Sequence, residues 1–175
     1  TGAVVQRLTI PGVTGIRSFT TDGTNIYAGI NTSSIKKIDP ITKTLVSSIT
    51  APIANVRSLT YDATANSGAG GFWMSTWATD ITETDMNGTT LNTITAANHG
   101  LTNMYGTAFD NVSSGGPYLW VFDQGTSPSQ SDIVQIDIAS SSPTAVIHDV
   151  MADVGTPQGD TSGLAGGMFF YSPTP

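Results

Sequence analysis

The 175-residue chain holds 27 Thr, 18 Ser and 19 Gly against one Glu, three Lys and seven Leu, too few straight-chain helix formers for a helical bundle. It has no Cys, which excludes a disulfide framework and a thiolate metal site. Its net charge of −7 is lopsided: all six basic residues lie in the first 57 positions, opposed there only by Asp22 and Asp39, and the remainder has eleven carboxylates and no Lys or Arg, which argues against nucleic acid or an anionic membrane as partner.

Residues 4–10 read as a strand, the outermost one of a preceding unit. Arg17-Ser18-Phe19-Thr20-Thr21-Asp22 then opens a complete unit. Behind it come an aromatic and β-branched run at residues 25–30, the segment Ile35-Lys36-Lys37-Ile38-Asp39, and an alternating run at residues 44–49. The order returns with Arg57-Ser58-Leu59-Thr60-Tyr61-Asp62, residues 72–77, Ile81-Thr82-Glu83-Thr84-Asp85 and residues 90–94. It returns again with Tyr105-Gly106-Thr107-Ala108-Phe109-Asp110, residues 118–122, Ile133-Val134-Gln135-Ile136-Asp137 and residues 145–148. The closing aspartates of the first segments, Asp22, Asp62 and Asp110, stand 40 and 48 residues apart. Ser162-Gly163-Leu164-Ala165-Gly166-Gly167 echoes the opening once more.

Four short strands in a unit of about 40 to 50 residues, with turn residues between, is the pattern of a β-propeller blade. The expected fold is therefore all-β: four-stranded antiparallel blades at about residues 16–51, 56–96 and 104–150, with partial-blade strands at 4–10 and 162–171. That is about four blades' worth of chain in a single domain, read as part of a larger ring of six or seven blades, with a compact four-bladed ring closed by residues 4–10 as the alternative. Because the pattern is already running at Thr1, the chain reads as processed or as a piece of a longer protein. No run of eighteen apolar residues suggests membrane insertion.

The phrases Gly116-Pro117-Tyr118-Leu119-Trp120-Val121-Phe122-Asp123-Gln124, Ile133-Val134-Gln135-Ile136-Asp137 and Gly163-Leu164-Ala165-Gly166-Gly167 resemble the propeller repeats of large secreted proteins of Bacteroidetes-type bacteria. The wider likeness is to bacterial surface propellers of the YVTN and NHL kind. The resemblance implies a secreted or cell-surface module. It implies no particular activity.

With the four strands of each blade lettered A to D from the central channel outward, the loops between strands B and C and between strand D and the next strand A share one face, where ligands usually bind. Numbered so, residues 31–34, 77–80, 97–104, 123–132 and 151–161 lie on that face, and the Gly-rich loops 63–71 and 111–117 lie on the other. The candidate ligand-binding residues are Trp77, Asp80, His99, Asn103, Asp123 and Gln124, an aromatic ring beside carboxylates and amides, as in a carbohydrate or peptide subsite. Asp22, Asp62 and Asp110, with Asp39, Asp85 and Asp137, suit Asx-type turns at strand ends. Arg17 and Arg57 occupy equivalent positions at the channel entrance and are expected to pair with carboxylates, with anion binding as the alternative.

No catalytic set is expected. His99 and His148 fall on different blades and radii, and no acid/base pair converges. No cofactor and no metal are expected; calcium has no complete motif, and residues 123–132 could hold a cation only if both ends of that loop converge. Asp85-Met86-Asn87-Gly88 lacks the later acidic ligand a calcium loop needs and reads as a hairpin turn. The leading function is a non-catalytic scaffold, adhesin or ligand-binding platform with a carbohydrate or protein ligand. The alternatives are a glycan-acting or lyase enzyme with its site at the channel mouth, and a subunit that self-associates through unpaired terminal strands.

Overall fold

A computed structural model describes residues 2–4, 6–125, 131–154 and 166–171. Within them lie three four-stranded antiparallel sheets, each a meander in chain order. The first contains β1 (Ile16–Thr21), β2 (Ile26–Ile30), β3 (Ser34–Asp39) and β4 (Thr44–Thr50). The second contains β5 (Ser58–Asp62), β6 (Gly71–Ser75), β7 (Ile81–Asp85) and β8 (Thr90–Ile94). The third contains β9 (Met104–Asp110), β10 (Tyr118–Asp123), β11 (Asp132–Asp137) and β12 (Ser142–Asp149). The opening strands stand side by side, with β5 between β1 and β9, so the sheets radiate from a common inner line as propeller blades do.

Period-two alternation decides which neighbour each side chain meets. In β10, Leu119, Val121 and Asp123 are buried, and Tyr118, Trp120 and Phe122 are half-buried. The register equates Tyr27, Trp73 and Trp120, which pair with Thr20, Thr60 and Ala108 on their opening strands. Tyr27 is buried in the cluster between the first and second blades, with Ile35, Val56, Leu59, Phe72 and Met74. Trp73 is buried in the cluster between the second and third, with Ile81, Ile94, Met104, Leu119, Val121 and Ile136. Trp120 occupies the same place on the far face of the third blade and is only half-buried.

Three parts differ from expectation. The described residues of 4–10 form no strand. Leu8, Ile10 and Val13 instead lie against Ile16, Phe19, Ile26 and Ile38, the apolar face of the first blade. No hydrogen-bonded ladder accompanies this contact. Residues 162–165 of the final expected strand lie outside the described residues. Residues 166–171 are described without strand pairing and pass close to Gly106 of β9. A Cβ built on Gly106 of β9 would collide with the Gly166 carbonyl and sit 3.0 Å from the Met168 nitrogen. Finally, loop 63–71 contains a tight turn, α1 (Ala65–Gly68), with Asn66 and Ser67 in the left-handed region at φ 50° and 59°. Two further short helices, α2 (Ala96–His99) and α3 (Val150–Val154), follow β8 and β12.

Candidate functional site

The strand-end aspartates settle first. Asp22 Oδ1 accepts the N–H of Thr24 at 2.8 Å and of Asn25 at 2.6 Å, and its Oδ2 accepts the Tyr27 hydroxyl at 2.8 Å. Asp62 Oδ1 accepts from Thr64 N at 2.7 Å and Ala65 N at 3.1 Å, and Oδ2 accepts the Trp73 indole at 3.2 Å. Asp110 repeats the set with Val112 N, Ser113 N and the Trp120 indole. Each is an Asx turn closed by a ring donor from the same blade. Burial alone would raise the Asp22 and Asp110 carboxyls, and their hydrogen bonds outweigh it, leaving both below the ordinary value. Asp39, Asp85 and Asp137 accept backbone N–H groups from the turns that follow them, as expected for structural aspartates. In the calcium-like fragment, Asp85 Oδ1 caps Asn87 and Thr89 at 2.8 Å each.

The B–C and D–A loops meet on one face. Asp80 Oδ1 accepts the Ala96 N–H at 2.8 Å, at the start of α2. His99 is buried; its Nδ1 accepts the Leu101 N–H at 3.0 Å, which leaves Nε2 to donate to the Thr79 carbonyl at 3.0 Å. Burial is the main force lowering its pKa. Asp123, also buried, accepts the N–H of Asn103 at 2.6 Å and of Thr102 at 3.3 Å. Asn103 donates its side-chain amide to the Gly125 carbonyl, and its own carbonyl accepts the Gln124 N–H at 3.0 Å.

Four of the six candidate residues, Asp80, His99, Asn103 and Asp123, therefore hold loops together through backbone groups. Gln124 is half-buried beside them. The second histidine, His148, is exposed on β12 with its ring 5.9 Å from that of Trp120. Trp77 differs. Its side chain is 41% exposed and its backbone is left-handed, with φ 44°, a costly conformation for a bulky residue. That conformation lets its carbonyl accept the Met104 N–H at 3.3 Å, in a bridge to the next blade.

Arg57 lies over the Trp77 ring, its guanidinium carbon 3.8 Å from the centroid, and is 5.6 Å from the Tyr105 ring. Trp77 and Tyr105 meet edge to face at 5.4 Å. Carboxylate pairing of Arg57 is thus corrected: among the described residues no carboxylate pairs with it, and its buried Nε finds no protein acceptor. Burial, then the charge of Arg17, lowers the Arg57 pKa. The sequence signal for this group was available, because Arg17, Arg57 and Tyr105 are equivalent in the repeat. What the repeat does not encode is the left-handed turn that swings Trp77 onto Arg57.

One other feature lies apart from this cluster. A cavity of about 650 Å³ follows the inner strands, walled by Phe19, Leu59, Tyr61, Phe109, Phe169 and Phe170, with no charged side chain in its lining. Among the described residues no group of three or more His, Asp or Glu is placed to hold a metal ion, and no helix is long and apolar enough to cross a membrane.

No family model matches the chain, and no curated protein matches it in sequence. Similarity is found among solved structures. Kuenenia stuttgartiensis hydrazine synthase aligns with a TM-score of 0.52 and 14% identity, covering 76% of this chain and 36% of that one. The WD40 repeats of RRP9 align with a TM-score of 0.49 and 17% identity, covering 74% and 37%. This chain spans little more than a third of either protein chain, and at these identities the likeness to the first is one of fold alone.

Proposed function

We propose that this chain is a non-catalytic propeller module of a secreted or cell-surface protein and that it binds a ligand on the face formed by the B–C and D–A loops. One observation carries the reading: on that face a half-exposed Trp77, locked in a left-handed turn, stands beside Arg57 and Tyr105. A ring held rigid and open to solvent is a recognition surface, and its position is where propeller ligands gather. The groups nearby that could serve acid–base chemistry are already engaged: both ring nitrogens of His99, and the carboxylates of Asp80 and Asp123. The export reading draws its support from the resemblance to secreted bacterial propellers and from a composition rich in Thr and Ser and poor in Glu and Lys.

The test is a glycan and peptide array probed with the wild type and with Trp77→Ala. The expected result is at least one ligand whose signal drops with the variant while its circular dichroism is unchanged. A ligand that binds both proteins equally would move the site elsewhere. Turnover of an array component that disappears in His99→Gln would replace the reading with an enzyme.

A further inference from the structure

Two arginines at one mouth need an explanation in a protein of net charge −7. Arg17 and Arg57 hold equivalent places on neighbouring inner strands, Arg17 within β1 and Arg57 just before β5. They are close enough for the charge of one to disfavour the charge of the other. Elsewhere in the fold, aspartates recruit donors at strand ends, yet among the described residues no carboxylate pairs with Arg57. On the same face, the carboxylates of Asp80 and Asp123 are bonded to the backbone of residues 96 and 102–103. Arg57 therefore has its flat face on Trp77 and retains donors on its edge, with its Nε buried and unpaired.

We infer that the Arg57–Trp77 pair, with Arg17 beside it, is a subsite for an acidic sugar, whose oxyanion meets the arginines and whose ring lies on the exposed surface of Trp77. The inference rests on the binding reading above and names its ligand class. A guanidinium edge offers parallel N–H donors at the spacing of a carboxylate or sulfate, and stacking on an aromatic ring fixes its plane in advance. Pre-organisation of this kind removes part of the entropy lost on binding. The second positive charge favours an anion over a neutral ligand, and the indole favours a ligand with an apolar C–H face over a bare ion.

The experiment follows the Trp77 indole and Arg57 Nε–H resonances of the intact chain by NMR during titration with four probes: glucuronate, glucose 6-sulfate, glucose and acetate. The expected outcome is saturable shifts of both resonances with glucuronate or glucose 6-sulfate, the stronger of the two identifying the oxyanion. Glucose and acetate should bind at least about tenfold more weakly, since each lacks one half of the recognition. Arg57→Gln should abolish the Trp77 response to the acidic sugars. Arg17→Gln, an exposed position where loss of folding is not a concern, should weaken it about threefold and more so at low salt. Acetate binding as tightly as glucuronate, or no saturable response to either acidic sugar, would overturn the inference. A neutral glycan or peptide from the array that binds through Trp77 and is indifferent to Arg57→Gln and Arg17→Gln would also overturn it, while leaving the binding module standing.

Discussion

At the scale of single residues, the recurring feature is an aspartate that terminates one strand and is held by a ring on the next. In the Asp62 system both the aspartate and its ring partner Trp73 are buried, and the carboxylate meets two backbone N–H groups, the Thr64 hydroxyl and an indole N–H. Replacing it with Ala strands buried donors, so Asp62→Ala should lower unfolding free energy by about 3 kcal/mol, against about 1 kcal/mol for Asp62→Asn, which keeps the shape. Urea denaturation checks both; equal costs would mean that the retained shape and remaining carbonyl acceptor of Asn recover nothing and that the carboxylate charge carries the effect. His99 gives a pH test. Its pKa in the fold lies below the ordinary 6.5, so the unfolded chain takes up the proton first. Its stabilising contribution is complete above about pH 6.5 and is lost as pH falls through the lowered folded value. His99→Gln should be less stable at neutral pH and should flatten the stability slope in this window. The carboxyls of Asp22, Asp39, Asp85 and Asp110 are held low and lose their contribution only at more acid pH, below about 4. An unchanged slope in the variant would remove the buried neutral imidazole as its source.

At the scale of elements, the strands and their order were legible because Asp22, Asp62 and Asp110 mark the same place in each unit and alternation marks the rest. Loop roles were not. Asp80, Asp123 and Asn103 have the composition of a ligand subsite, and nothing in the residue types tells a side chain aimed at solvent from one capping a neighbouring loop's N–H. Long-range pairs such as Thr102–Asp123 and Ala96–Asp80 arise only when blades come together. Arg57 was misjudged for the same reason, since its partner ring depends on the φ of Trp77. The terminal segments show the other limit. Residues 166–171 lie against Gly106 without a ladder, so here packing places the chain and backbone hydrogen bonding does not. Gly106→Ala should displace this segment because the added methyl meets backbone atoms that cannot rotate away. Chymotrypsin should then cut at Phe169, Phe170 or Tyr171 several-fold faster than in the wild type. An unaltered cleavage rate would show that the segment is not seated on the third blade.

At the scale of the whole molecule, the three blades do not share burial equally. The second has an apolar cluster on each face, whereas the first and third each have one such cluster and one face covered only by a terminal segment or half-exposed. Repeat folds of this kind gain stability chiefly at interfaces between neighbours. Native-state hydrogen exchange should therefore be slowest in β5 and β6 and faster in β2 and β10, with the outer strands β4 and β12 fastest of all. Equal protection in β2, β6 and β10 would mean that each blade is stable on its own account.

The fastening of each blade has a consequence for its ancestry. Asp22 and Tyr27, Asp62 and Trp73, and Asp110 and Trp120 are partners within one sheet, and no latch borrows an atom from the next. A stretch of gene encoding one such unit carries its own closure when it is copied. Duplication can lengthen the array without inventing a new fastener, and divergence then acts on the surfaces where copies touch. The tyrosine in the first unit and the tryptophans in the others fit that history: any ring bearing a hydrogen-bond donor keeps the latch, while its size is adjusted to the neighbour it was given.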